Sequence, residues 1–332
     1  MKTIRWAVVG LGKISRRMTR VIQSVEGATV AACVSSSKER ALEYAKKYGI
    51  EHALTYDELA ENPSLVDAVY ICTHMNYHAA PAIKFLNKKL PVMVEKTFAT
   101  TLQDAKDIIA AAKENETLVM EAMWTRLLPA TQALHDVLAN DNVGKILSTD
   151  SKFEVGIGHT KKSRVFKKAV GGGVLYDIGI YPTTYTHMLL GNPESVSATA
   201  KFRDGVDIAV NSTFNYADGV VANLRVSCEP FTLKEYYTIT TENAIIKVPS
   251  FFDARKIKIE YKDGRKGRTI KSFNGVSFGR RGKPDGFSHE IKHFGDLIRE
   301  GKTESPILTH IMTLEVMELI IKQLQAVGLD VE

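Results

Sequence analysis

A short apolar run, Ile4-Arg5-Trp6-Ala7-Val8-Val9, leads straight into Gly10-Leu11-Gly12-Lys13-Ile14-Ser15 and then into a segment of helical period over 13–24. Strand, glycine turn and helix in that order constrain the fold more than any other feature of the chain. The first glycine permits the tight turn, and the second lets backbone approach a pyrophosphate. The phosphate charge then meets the N–H groups at the start of the helix. The third position is Ser15, small enough for close helix–strand packing. An isolated match to this pattern carries little weight. In this setting it predicts a dinucleotide site on Gly10, Gly12, Lys13 and Ile14.

The surrounding rhythm agrees. Further apolar runs fall at 29–34, 68–72, 92–94 and, more faintly, 118–120, with helix-period segments at 38–48, 77–88 and 101–114. Near-continuous apolar strands alternating with helices imply a parallel sheet covered on both faces, and right-handed crossovers make it doubly wound. After about residue 145 strand candidates follow one another with only turns between them: 146–155, 195–202, 206–215, 220–228, 234–240, 244–248, 256–261 and 268–273. Arg203-Asp204-Gly205, Ala217-Asp218-Gly219 and Lys262-Asp263-Gly264 mark hairpins. A helix over 174–190 interrupts, announced by Gly171-Gly172-Gly173 and ended by Gly191-Asn192-Pro193, and two more close the chain at 286–300 and 309–327. The expected fold class is α/β: a dinucleotide-binding domain over 1–122, then an α+β domain over 123–332 with a large, mostly antiparallel open sheet. The second domain is expected to bind substrate and to oligomerise, and its terminal helices to pack back on the first domain.

Composition narrows the classes. At 332 residues the chain has room for about two domains, and 44% hydrophobic with 25% charged residues is ordinary for a globular protein. No apolar run approaches the ~18 residues that span a bilayer, and the N-terminus lacks the long apolar region of a signal peptide, so a cytoplasmic protein is expected. Cys33, Cys72 and Cys228 each lie inside an apolar strand and read as small buried hydrophobes, not as a metal or disulfide framework. The net charge of +6 is concentrated in 251–285, which holds eleven basic residues against four acidic ones. No nucleic-acid-binding motif accompanies them, so a solvated, basic sheet edge is the expectation, with neither nucleic acid nor membrane as partner.

The second strand ends Cys33-Val34-Ser35-Ser36-Ser37-Lys38, without the acidic residue that accepts from an adenosine ribose 2′-OH. The hydroxyls of Ser35, Ser36 and Ser37 and the ammonium of Lys38 suit a 2′-phosphate, so NADP(H) is expected to be preferred and NAD(H) to remain possible. Ser36-Ser37-Lys38 can equally cap the next helix, and both roles can hold at once.

Four more segments carry a resemblance: Thr73-His74-Met75-Asn76-Tyr77-His78, Glu95-Lys96-Thr97, Glu121-Ala122-Met123-Trp124-Thr125-Arg126, and Gly171 through Tyr181. In this order they resemble the Gfo/Idh/MocA oxidoreductases, most like the dihydrodiol dehydrogenase and glucose–fructose oxidoreductase branch, over nearly the whole chain. The resemblance implies a Rossmann domain and an α+β domain whose open sheet packs against a partner subunit, giving a homodimer or homotetramer. It puts the family's Glu-Lys-Pro lysine at Lys96 and its Asp-x-Gly-x-His/Tyr signature at Asp177 and Tyr181. Thr73, His78, Glu95, Trp124 and Arg126 join the cofactor-binding set. Two positions depart from the family. Thr97 stands where proline usually permits a cis bond, leaving either a trans bond with Lys96 repositioned or a strained site, and Met75 stands where relatives carry Asn or His.

The residues support the same chemistry. Lys96 ends a parallel strand, where open sheets bind ligands, and Asp177 and Tyr181 are four apart on one helix face. Reduction of a carbonyl builds charge on oxygen and needs a proton donor. A free phenol titrates near ~10, and a neighbouring ammonium or oxidised nicotinamide would lower it. Tyr181 is therefore assigned as general acid/base, Lys96 as its electrostatic partner and Asp177 as substrate orienter. Exchange of the Lys96 and Tyr181 roles stays open. The expected reaction moves a hydride between the nicotinamide and a carbonyl or hydroxyl of a small sugar, anhydrosugar or vicinal diol. The alternative is a catalytically silent, nucleotide-binding sensor. His159 and Arg164 are minor substrate candidates, Arg16 and Arg17 read as solvated, and His289 and His293 read as packing residues with no metal proposed.

Overall fold

The computed structural model describes residues 2–156, 163–229, 233–271 and 286–331. Contacts divide the chain into two compact units, one from 1–124 with 277–314 and the other from 125–276 with 315–332.

The first unit is built on six parallel strands, β1 (Ile4–Val9), β2 (Ala28–Val34), β3 (His52–Leu54), β4 (Ala68–Ile71), β5 (Val92–Glu95) and β6 (Val119–Ala122), in the order β3-β2-β1-β4-β5-β6. Strands β4, β5 and β6 are buried at every position, which is why their sequences are apolar runs rather than alternating patterns. Between them run α1 (Lys13–Ser24), α2 (Lys38–Tyr48), α3 (Tyr56–Glu61), α4 (Ala79–Leu86) and α5 (Leu102–Glu114). Direction of strand order reverses between β1 and β4, and the ends of these strands open the crevice where doubly wound sheets bind ligands. Two elements go beyond the sequence expectation. Strand β3 is three half-buried residues, too short to show a period. Helix α3 begins with a capping box between Thr55 and Glu58, whose Thr-x-x-Glu pattern is present in the sequence.

The second unit contains α6 (Pro129–Asn140), a further element beyond the sequence expectation, which begins with proline in its first turn. Its sheet has eight strands: β7 (Ile146–Glu154), β8 (Ser195–Arg203), β9 (Val206–Asn215), β10 (Val221–Ser227), β11 (Lys234–Thr241), β12 (Ala244–Val248), β13 (Lys256–Tyr261) and β14 (Arg268–Lys271). The order is β14-β13-β12-β11-β7-β10-β9-β8, antiparallel except for the pairing of β7 with β10. Asp204 and Gly205, both at positive φ, close the two-residue hairpin between β8 and β9. Within the basic segment, β13 and β14 lie at the sheet edge, where Arg268 pairs with Asp141 and Arg265 lies over the Tyr261 ring, while 272–285 lies outside the described residues.

Helix α7 (Ile180–Leu190) is buried from Ile180 through His187. Two of its polar residues are matched inside the unit: Thr186 Oγ1 lies 2.8 Å from the Tyr237 hydroxyl, and His187 Nε2 lies 2.9 Å from Glu315. Helix α8 (Phe287–Arg299) packs on the first unit, with Phe294 5.3 Å from the Trp6 ring and Arg299 donating to the carbonyls of Lys2 and Gly27. The last helix is α9 (His310–Ala326). Among the described residues, no helix is long and apolar enough to cross a membrane.

Candidate active site

The glycine turn lies between the end of β1 and the start of α1, and Gly10 N–H donates to the Val34 carbonyl at the end of β2. Gly10 has φ of +89°, and a Cβ there would lie 2.8 Å from the backbone nitrogen of Thr73. The protein itself therefore requires that glycine. Gly12 differs: its φ is −92° and a Cβ would meet nothing within 4 Å. Neither backbone nor packing explains glycine at 12. The space it leaves lies at the start of α1, whose first turn has no side-chain cap and no acidic residue, so a pyrophosphate fits in charge and in room. Ser15 is buried and donates to the Gly12 carbonyl at 2.9 Å, holding the turn. Lys13 is exposed and Ile14 half-buried beside it.

At the end of β2, Ser35 Oγ accepts from Ser37 N–H at 3.2 Å, and Ser37 Oγ accepts from Arg40 N–H, capping α2. Lys38 donates to both carboxylate oxygens of Glu58, at 2.8 and 2.7 Å, while Ser36 is exposed.

The strand ends of β4 and β5 are tied together by His78. Its buried ring puts Nδ1 3.1 Å from the Thr97 carbonyl and 3.2 Å from that of Phe98, with Nε2 3.3 Å from the Thr73 carbonyl. Phe98 N–H donates to Glu121 of β6 at 3.1 Å. The loop that follows Lys96 is thus held from two sides, and the Lys96–Thr97 peptide is cis. Glu95, buried, accepts a hydrogen bond from the Tyr70 hydroxyl. Burial first, and then the Glu95 and Glu290 carboxylates, push the Tyr70 phenol well above its ordinary value, so it remains a donor. Met75 is buried. Trp124 stacks on Phe287 at 4.6 Å, and Arg17 lies 4.4 Å over the same Phe287 ring, so Arg17 is packed where solvation was expected.

Asp177 and Tyr181 belong to the second unit. The sequence implied one regular helix over 174–190, but Leu175–Gly179 is π-helical and the α-helix proper begins at Ile180. Such a π turn is frequent at functional sites. Its cause is local. The Asp207 carboxylate, from β9, accepts from Leu175 N–H at 2.8 Å and occupies the space that a side chain at Gly173 would need, with Oδ1 2.2 Å from that Cβ. Burial raises the Asp207 carboxyl above its ordinary value against the hydrogen bonds that stabilise its charge. Tyr181 is buried edge-on between Phe252, at 4.7 Å, and Phe153, at 5.8 Å. The Asp177 carboxylate accepts from the Arg164 guanidinium, which also reaches the Gly171 carbonyl. Arg164, a minor candidate in the sequence, is therefore the partner of the expected substrate orienter.

The candidates fall into three sets. Gly10, Thr73, His78, Glu95 and Lys96 gather at one end of the first sheet; Ser35 to Lys38 line the turn after β2; Asp177, Tyr181 and Arg164 gather at the entry to α7. Trp124 and Arg126 share the short 3-10 helical turn over Trp124–Leu127, and the buried Arg126 guanidinium lies in electrostatic reach of His135 and His187. His293 bonds Ser305 at 2.8 Å. His159 lies outside the described residues. Asp207 and Tyr70 carried no signal in the sequence, because each acts on a residue more than twenty positions away, and Glu121 opened one of the resembling segments without its Phe98 partner being legible.

Comparison with known proteins bears directly on this arrangement. The chain matches the oxidoreductase family profile Gfo/Idh/MocA, NAD-binding Rossmann fold, over residues 4–123, and the Gfo/Idh/MocA C-terminal domain over 131–246. It is 29% identical over 314 residues to a human trans-1,2-dihydrobenzene-1,2-diol dehydrogenase, covering 92% of this chain and 91% of that protein. The zebrafish (Danio rerio) protein of the same name is 32% identical over 253 residues, covering 74% and 75%. A 3-ketoreductase from Actinomadura kijaniata, solved with NADP and TDP-benzene, has the same fold, with a TM-score of 0.85 at 23% identity over 98% of each chain.

Proposed function

This chain belongs to the Gfo/Idh/MocA oxidoreductase family, and on that footing we propose that it is an NADP(H)-preferring dehydrogenase or reductase. NAD(H) serves as a second cofactor, and the substrate is a small sugar, anhydrosugar or vicinal diol. A vicinal diol is what the names of the curated relatives specify. The observation that carries the reading is the entry to α7, where a buried Tyr181 follows Asp177 by four residues and Asp177 is held by Arg164. A residue set kept only for nucleotide binding would not need this constellation as well as Lys96.

The glycine turn and the start of α1 hold the pyrophosphate, and Ser36 and Lys38 take the adenosine end. When bound, the dinucleotide supplies or accepts the hydride. Tyr181 gives a proton to the carbonyl oxygen during reduction and takes it back during oxidation. Lys96 supplies the positive charge that answers the charge developing on that oxygen. Asp177, with Arg164 fixing its carboxylate, accepts from a neighbouring substrate hydroxyl. The reading extends to a cytoplasmic homodimer or homotetramer assembled through the open face of the eight-stranded sheet. Its three cysteines, all buried and none in a disulfide, suit a reducing compartment.

The test is NADPH oxidation across pools of aldoses, ketoses, anhydrosugars and α-dicarbonyls, with Tyr181→Phe and Lys96→Met beside the wild type. Loss of kcat by about 10²–10⁴-fold in Tyr181→Phe is expected for a missing general acid. Full activity in Tyr181→Phe would reassign the proton to Lys96. Tight dinucleotide binding with no turnover on any pool would favour the sensor.

A further inference from the structure

The turn after β2 carries an acidic partner that its own sequence does not show. Lys38, the one ammonium of the Ser35-Ser36-Ser37-Lys38 turn, donates to both oxygens of Glu58. Glu58 is itself fixed at the start of α3: Thr55 N–H donates to its Oε2 at 2.7 Å, and Glu58 N–H donates back to Thr55 Oγ1 at 3.3 Å. Lys38 and the Thr55 amide hold the Glu58 carboxyl below its ordinary range, so it is charged throughout the neutral region. Two of the turn's three hydroxyls are also committed, since Ser35 Oγ accepts from Ser37 N–H and Ser37 Oγ accepts from Arg40 N–H and donates to Glu39.

We propose that Glu58 is a cofactor-discriminating residue: by partly neutralising Lys38 it moderates recognition of a 2′-phosphate and keeps NAD(H) competitive. The inference rests on the reading that this turn receives the adenosine ribose. The sign follows from charge. A 2′-phosphate must share Lys38 with a carboxylate that the capping box prevents from leaving, whereas a 2′-hydroxyl carries no charge and gains or loses little. The pair is 40% exposed on each side, so it is weak enough for phosphate to compete and strong enough to matter.

Glu58→Gln isolates the charge, because glutamine also completes a capping box. Dissociation constants for NADPH and NADH are measured by tryptophan fluorescence on the full chain, for wild type, Glu58→Gln, Lys38→Met and the double variant, with thermal melts beside them. Glu58→Gln is expected to tighten NADPH by about two- to fivefold, the size of an exposed pair, and to leave NADH within about twofold. The gain is expected to vanish in the Lys38→Met background and to shrink in high salt. Lys38→Met alone is expected to weaken NADPH by no more than about fivefold, which decides the matter if Glu58→Gln melts early. An unchanged NADPH/NADH ratio in Glu58→Gln, or weaker NADPH binding, overturns the proposal. A wild type that binds neither dinucleotide overturns the cofactor reading itself, and this inference with it.

Discussion

Gly10 and Gly12 stand two residues apart in one turn, yet different things require them. At Gly10 the protein forbids a side chain, through φ of +89° and the Thr73 backbone 2.8 Å from a Cβ. At Gly12 nothing in the protein does. Gly10→Ala should therefore lower stability by ~1–3 kcal/mol in urea denaturation, from strain and displacement of the Thr73 loop. Gly12→Ala should leave the urea midpoint unchanged and weaken NADPH by about tenfold or more, the cost of a methyl where phosphate must approach, read by fluorescence titration. A destabilised Gly12→Ala with normal NADPH affinity would contradict this assignment. The sequence pattern named both glycines but could not separate them, since the separation depends on Thr73, sixty-three residues beyond Gly10.

The entry to α7 is the element on which the chemistry depends. Its N-terminal amides turn to a carboxylate from another strand, Asp207, and Gly173 leaves the room that carboxylate fills. Asp207→Ala should cost ~1–3 kcal/mol by leaving the Leu175 N–H unpaired in a buried place, and Asp207→Asn, which keeps an acceptor oxygen, should recover most of it. Equal losses in the two variants would mean that the charge, not the hydrogen bond, matters. Strand β11 presents a half-buried carboxyl. Glu235 Oε2 lacks a hydrogen-bond partner among the described residues, and burial pushes its pKa up to about 7, aided by Asp253 and opposed by the Phe252 amide and Ser250. Because the folded value lies above the unfolded one, the stabilisation is full below about pH 4.5 and is lost as pH rises through about 7. Between pH 5 and 8 the wild type should lose about 2–3 kcal/mol more than Glu235→Gln, measured as urea midpoints at each pH. Parallel profiles would place Glu235 in water.

At the scale of the molecule, the open face of the second sheet is polar and internally paired. Arg225 donates to Asp150 at 2.7 Å, and the Tyr236 hydroxyl donates to the same carboxylate at 2.7 Å, across β10, β7 and β11. The opposite face is apolar, with Phe214, Ala222 and Leu224 packed against Leu319 of α9. If a second copy covers the polar face, sedimentation velocity should give a mass of twice or four times 36.8 kDa. Asp150→Ala with Arg225→Ala should shift it towards one chain without changing the circular dichroism of the sheet. A monomeric wild type would refute assembly through this face. By itself the sequence determined the alternation of strand and helix, the phosphate turn, the switch to an antiparallel sheet and the Asp177–Tyr181 spacing. All of these are written in local period and in motifs a few residues long. Only the tertiary structure decided that Lys38 meets Glu58, that Arg164 meets Asp177, that His78 ties Thr73 to the loop after Lys96, and that Asp207 caps the turn before Tyr181. Periodicity records which face of an element is apolar, because burial acts on every residue of that face. It carries no record of which distant polar group answers a given charge, because one hydrogen bond constrains one atom pair and leaves no repeat in the chain.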